Sequence, residues 1–457
     1  MAALTLGAAT PVHAGPTAEI ASSFDADDAF DLHVTLDYGF ELHRATIQRE
    51  LVGKPGTEPD DPIPVVRDLR FASSRHVLTP RLELGIFHDL AIQLALPIVL
   101  TDQRSLAFDQ SNTPCTFGTG RSCIDASNST TVADGILPAT GFDARDPGGP
   151  GFTDPSDPTI FRGPRRKGLD QVHLGLVWAP MNQGRDDTKP TWKLGAEVRL
   201  PIGKPMRFDR AAPSAETSVG TGRVDVRLWT SIGKRVGWAE PYVELWWLAP
   251  AAYSDDSSFR DPGFGSDRWQ AQQNAGTHFG FEAIALDRPV EGQKVSLDLS
   301  GQLEANFEGR GYSEMWEVLA YGGSVDGDGP LVLDENPVQA GVQATSHPGV
   351  SSIENHLRMG GTVAVRGELG PKVRIAASFQ MMGTQGHFLT FADAGVDLPD
   401  CSAGDTTDCE DADNDVVNPG TEEVNPAHVP LIDLVGHRYR VTAVLDYIIG
   451  VEARVLF

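Results

Sequence analysis

A chain of 457 residues with 63 Asp+Glu against 37 Lys+Arg carries a formal charge of -26, which argues against nucleic acid as a partner because phosphate contacts draw on Lys and Arg. A mean hydropathy of -0.21 and the lack of any apolar run of about 18 residues exclude a helical membrane protein. A membrane β-barrel stays open, since only alternate residues of its strands meet lipid and its average hydropathy resembles that of a soluble protein.

The first fourteen residues, MAALTLGAATPVHA, are small and apolar and end in Val12-His13-Ala14, the pattern of a secretory h-region and cleavage site without its basic n-region. The expectation is a signal remnant over 1–14, a periplasmic segment over 15–29 and a barrel over 30–457. From Phe30 to Leu42 the even positions are apolar (Phe30, Leu32, Val34, Leu36, Tyr38, Phe40, Leu42) while the odd ones hold Asp31, His33, Thr35, Asp37, Gly39 and Glu41. Side chains alternate across a strand, so one face is greasy and the other wet. The pattern returns at Leu78–Ile86 and Leu90–Leu100, separated by His88-Asp89, and then at Val172–Trp178, Trp192–Ile202 and Val224–Ile232. With the apolar phase moved to odd positions it continues at Val243–Ala249, Thr277–Ala285, Val295–Phe307, Leu357–Leu369, Val373–Met381 and Tyr439–Phe457.

These twelve segments alternate between short connections (near 88–89, 180–190, 234–240, 287–293, 370–371) and long ones (near 51–75, 102–168, 203–222, 250–272, 309–355, 383–435). Short periplasmic turns, long outer loops and an even strand number belong to transmembrane barrels. The fold class expected is therefore all-β: a single antiparallel up-and-down transmembrane β-barrel of 12 strands with both termini in the periplasm. Aromatics on the apolar phase sort to the two interfaces, Phe30, Trp178, Trp192 and Phe457 below and Phe307, Trp247, Phe279 and Tyr439 above. A soluble sandwich would alternate too, but has no reason to sort aromatics or loop lengths this way.

The last strand, RYRVTAVLDYIIGVEARVLF, closes the chain at Phe457 behind alternating Ile449, Val451, Ala453 and Val455. It resembles the C-terminal signal of bacterial outer-membrane proteins, which implies an assembly signal at Phe457, the barrel-assembly machinery as a partner and the cell outer membrane as the location. The hairpin GIFHDLAIQLALPI (Gly85 to Ile98) is similar to the repeated hairpin of outer-membrane transporters such as those linked to the meta-pathway of phenol degradation.

On the inward phase the candidate pore-lining residues are Asp37, Glu41, Arg81 and Glu83 from the first two strands, and Lys193, Glu197, Arg199, Asp225 and Arg227 from the middle ones. Asp298, Glu304, Arg358, Arg366, Arg374, Arg440 and Asp446 come from the last four. Burying so many charges is costly unless they are paired or hydrated, so the lumen is expected to be wet, salt-bridged, or both. Inward histidines (His33, His43, His173, His278, His356) lack metal-ligand spacing, and no HExxH or GxSxG occurs, so no enzyme is expected and no catalytic residue is assigned.

Cys115 with Cys123 and Cys401 with Cys409 lie as close pairs in loop-like stretches, which reads as local disulfides of an oxidising compartment. From Met381 to Gly436 there is no Lys or Arg, and Asp411, Asp413 and Asp415 alternate in DADND. That loop is expected to draw cations, with calcium as the candidate metal and divalent bridges to lipopolysaccharide phosphates as a partner contact. Beyond calcium, no cofactor is expected. In GRGYSEMWEVLAYGG (Gly309 to Gly323) Met315, Val318 and Leu319 fall at helical spacing with Trp316, which predicts a short helix in the mouth or on its rim. The functional expectation is passive passage of small solutes with a cation bias. The alternatives are a non-conducting structural or surface-interaction barrel and, behind it, an outer-membrane enzyme.

Overall fold

A computed structural model describes residues 20–24, 30–51, 63–110, 123–154, 156–260, 270–288, 292–327, 329–334, 344–370, 372–392 and 427–457. Twelve strands wind antiparallel into one closed wall. They are β1 (Leu32–Glu50), β2 (Val65–Phe87), β3 in two pieces (Leu90–Ala95 and Ile98–Phe108), β4 (Gln171–Met181), β5 (Thr191–Pro201) and β6 (Arg223–Gly233). The second half is β7 (Ala239–Tyr253), β8 (Asn274–Arg288), β9 (Gln293–Asn306), β10 (His356–Leu369), β11 (Val373–Thr384) and β12 (Tyr439–Leu456). Each pairs with its sequence neighbour, and β12 pairs with β1 from His33↔Leu456 to Arg49↔Tyr439, so no edge remains.

All twelve alternating segments lie along these strands, and over the membrane span the apolar phase faces out. Leu36, Leu94 and Leu297 are 48%, 37% and 39% exposed, while their neighbours Asp37 and Asp298 are buried within the wall. Phe30, Trp178 and Phe457 are exposed at one rim of this band, and Trp247, Phe279 and Phe307 toward the other. The short connections are 88–89, 182–190, 234–238, 289–292 and 370–372. The tightest holds Asp89 at φ 52°, a left-handed conformation that Asp tolerates in two-residue hairpins.

Two expectations need correction at the outer side. The first connection begins its return strand at Val65 rather than near 76, and the third strand runs on to Phe108 rather than ending near 102. In this upper extension the hydrophobic pattern is inverted. Ala45, Ile47, Leu69, Phe71, Leu106 and Phe108 face inward and are buried, while Arg44 and Arg70 face out. Above the membrane the outer face meets water and the apolar side must find another cover. In β3 the inversion is a slip of phase, since the register shifts between His76 and Val77 and Asp102 replaces Thr101 on the inner face. In β12 it occurs at Ala443, held at φ 48°. Tyr439 therefore does not join the outer lipid-facing girdle; it is fully buried inside, its hydroxyl 2.8 Å from Thr131 Oγ.

The cover is supplied by the loops. Three short helices, α1 (Thr130–Ala133), α2 (Trp316–Gly322) and α3 (Pro430–Asp433), lie in the mouth. Every residue of α2 is buried, and Trp316, Val318, Leu319 and Tyr321 share one apolar cluster with the inverted strand faces. Of the two placements open to this segment, the structure has the helix inside the mouth.

Candidate functional site

The lumen lies between this outer plug and a narrower closure at the periplasmic end. There Ile20 and Ala21 pack on the inner wall against Ala91, Val177 and Ala179. Ala21 N donates to Glu83 Oε1 (2.8 Å), Ser23 Oγ donates to Gly85 O (2.7 Å), and Ser22 Oγ accepts from Asp89 N (3.0 Å) and Arg185 (2.9 Å). Gly85 is what lets the segment in, because a Cβ there would sit 2.6 Å from the Ser22 backbone.

Between the closures the wall charges are largely paired. Arg81 lies 3.0 Å from Asp37, and Gln93 donates to Glu83 at 2.7 Å. Arg199 donates to Glu197 (2.7 Å) with His173 3.6 Å away; Arg223 holds Asp225 (3.0 Å) and Arg227 holds Glu244 (2.7 Å). Asp298 accepts from the Tyr242 hydroxyl at 3.0 Å. Glu41 stands directly across from Arg75, and Lys193 across from Ser231. Below these, Arg366, Arg374, Lys294, Glu282, Glu368 and Glu452 line a cavity of about 40 Å³. Arg440 stands apart from the other fifteen candidates and does not line the pore: above the Ala443 bulge it lies opposite Gln48 on the outward phase, its guanidinium 5.4 Å from the Phe388 ring.

The plug is tied to the wall through charge. His43 of β1 has a carboxylate at each ring nitrogen, Asp446 of β12 at Nδ1 and Glu314, just before α2, at Nε2 (3.1 Å). Arg358 joins the same knot, 3.0 Å from Asp446 and 3.8 Å from Glu304. Arg166 clamps Glu317 of α2 with two N–H groups (3.0 and 2.9 Å) and also donates to Ser218 O and Arg207 O. Arg104, paired with Asp102 at 3.0 Å, and Arg166 face the Trp316 ring at 5.7 and 5.0 Å. Such desolvated contacts hold only because each charge has a partner. In the outer plug, which forms a lid over the mouth, burial and the nearby Arg310 push the His347 imidazole down to about 3, and its ring stacks on Phe391 with centroids 3.8 Å apart.

Sequence reasoning missed these anchors. Arg104 and Arg166 fall in a stretch read as loop, although the Asp102, Arg104, Leu106, Phe108 alternation carries on after a one-residue slip and was there to be followed, and Glu314 and Glu317 fall in the segment read as a short helix, with no partner assigned to either. The acidic Asp411, Asp413 and Asp415, and Cys115, Cys401 and Cys409, lie outside the described residues; Cys123 is buried and disulfide-bonded. Residues 1–14 also lie outside. Among the described residues no group of three or more His, Cys, Asp or Glu is arranged to hold a metal.

No protein-family model matches the chain, and no curated protein does. Among solved structures it is similar to the COG4313 outer membrane channel of Pseudomonas putida F1, at 9% identity over 98% of this chain and 100% of that one, TM-score 0.40. A Pseudomonas aeruginosa FadL homologue follows at 9% identity, 93% and 90% coverage and TM-score 0.33. The outer membrane protease OmpT of Escherichia coli matches at 6% identity, 94% and 98% coverage and TM-score 0.28. At this distance the likenesses carry no weight for activity, and the class rests on the wall itself. A closed twelve-strand sheet that turns an aromatic-rimmed apolar band outward and its charges inward makes this chain an outer-membrane β-barrel protein.

Proposed function

We propose that the protein is a passive channel for small polar or amphipathic solutes, with cations favoured over anions. The observation that carries this reading is the unfilled middle of the barrel. Gly39 faces inward, and a Cβ built on it would meet nothing within 4 Å. Around it Glu41, Arg81, Arg227, Glu244 and Gln302 are only half-buried although they point into the barrel. A wall whose charges are paired yet hydrated can line a path for solute without trapping one ion. The cation bias draws on the net charge of -26 and the basic-free stretch from Met381 to Gly436.

The two closures favour a second reading, a barrel that conducts nothing and works through its acidic outer loops. In that case calcium at Asp411, Asp413 and Asp415, or divalent bridges to lipopolysaccharide, would be the functional contact, and chelation would lower the melting temperature. An enzymatic role is the weakest of the three, since the hydrogen bonds of His43 go to two carboxylates and supply no nucleophile. Purified protein in a planar bilayer separates the first two. Stepwise currents with a cation-selective reversal potential support the channel; silence across many insertions overturns it.

A further inference from the structure

On the inner wall of β5 to β8, tryptophan and glycine share one cross-strand row. Trp229 of β6 stands directly opposite Gly195 of β5 on one side and Trp246 of β7 on the other, and Trp246 stands opposite Gly276 of β8. Each ring lies over its glycine. A Cβ at Gly276 would sit 2.7 Å from Trp246 Cζ2, and one at Gly195 would overlap the Trp229 ring. Nearer the periplasm Tyr242 repeats the arrangement over Gly280, where a Cβ would be 2.8 Å from the phenol oxygen. Glycine weakens a strand unless a close approach requires it, and here three of them sit under aromatic rings.

Rings laid on glycine lie close against the wall, and Trp229 also packs against the Ile20–Ala21 cluster on its periplasmic side. Trp229 and Trp246 remain half-buried although both point into the barrel. The polar groups along the strip are already satisfied in pairs: Arg227 lies 6.0 Å from the Trp229 ring and donates to Glu244 at 2.7 Å, and Glu197 is held by Arg199 at 2.7 Å. An ionic solute would have to break one of these pairs. An uncharged ring with an apolar C–H face and a rim of hydroxyls would break none, resting its face on indole and its hydroxyls on the paired carboxylates and guanidinium.

We infer that Trp229 and Trp246 form a binding strip for neutral cyclic carbohydrate inside the lumen. The inference rests on the lumen being a solute path, and two readouts keep the two ideas separable. In detergent micelles, glucose and maltose should shift tryptophan emission along a saturable curve, while acyclic sorbitol should not. Trp246→Leu should weaken the response by roughly tenfold, the loss of one stacked ring, and Trp246→Phe, which keeps a ring over Gly276, should retain most of it. Trp238→Leu, at a turn where the indole is 67% exposed, should leave the curve unchanged. In planar bilayers the same sugars should interrupt the current. No saturable response to sugar, or an unaltered one in Trp246→Leu, overturns the strip, as does binding of benzoate with none of sugar. Currents without any sugar response sink the strip and spare the channel; sugar binding to a silent barrel does the reverse.

Discussion

Single positions decide what the lumen admits. Gly39 is the inward site with open space in front of it, so Gly39→Trp should place an indole across the path and cut single-channel conductance by roughly half or more, with little effect on folding. An unaltered conductance would mean that ions do not pass there. Arg166 is the opposite case, a buried cation whose removal leaves Glu317 charged without its hydrogen-bonded partner. Arg166→Met should destabilise by about 3–5 kcal/mol, whereas the double variant Arg166→Met/Glu317→Gln should recover much of that loss. Thermal unfolding of both, followed by circular dichroism, checks the pair.

Elements rather than residues close the two ends. The Ile20–Ser23 segment enters the barrel because Gly85 carries no Cβ. Gly85→Val should expel it and raise conductance from the periplasmic side, while the wall, whose ladder hydrogen bonds are untouched, stays closed. The outer lid should respond to pH through His347. Its folded pKa lies near 3, below the ordinary 6.5, so the neutral ring is the one the fold accepts. The stability it lends is complete above about pH 6.5 and is lost as pH falls toward 3, because the unfolded lid takes up the proton first. At pH 5 the loss is about 2 kcal/mol. Current noise at pH 5 should exceed that at pH 7.5, and His347→Gln should flatten the difference; equal noise in the parent protein would count against it.

At the scale of the whole molecule, closure is what resists denaturation. Each of the twelve wall strands has a partner on both sides, so detergent finds no edge of the barrel at which to begin. Unboiled protein in dodecyl sulfate should migrate faster than boiled protein, and identical mobility would contradict the closed wall. The same closure places opposite chemistries on the two faces over the membrane span and exchanges them above it. The molecule is thus two stacked zones: a lipid-facing band around a wet lumen, and a water-facing collar around an apolar plug.

The amino-acid order by itself determined the strand number, the alternation of short and long connections, and which face of each strand meets hydrocarbon. A membrane imposes period 2 on every crossing, so those features repeat locally and can be read one strand at a time. The collar was less legible. There the outer solvent is water, the apolar residues Leu69, Phe71, Leu106 and Phe108 turn inward, and bulges near Leu100 and at Ala443 slip the phase that sequence alone would carry on. The luminal partners, too, had to await the tertiary structure. Arg166 meets Glu317, and His43 meets Asp446 and Glu314, across separations of 151, 403 and 271 residues. Barrel shear and loop packing set those meetings, and neither leaves a periodic trace in the chain.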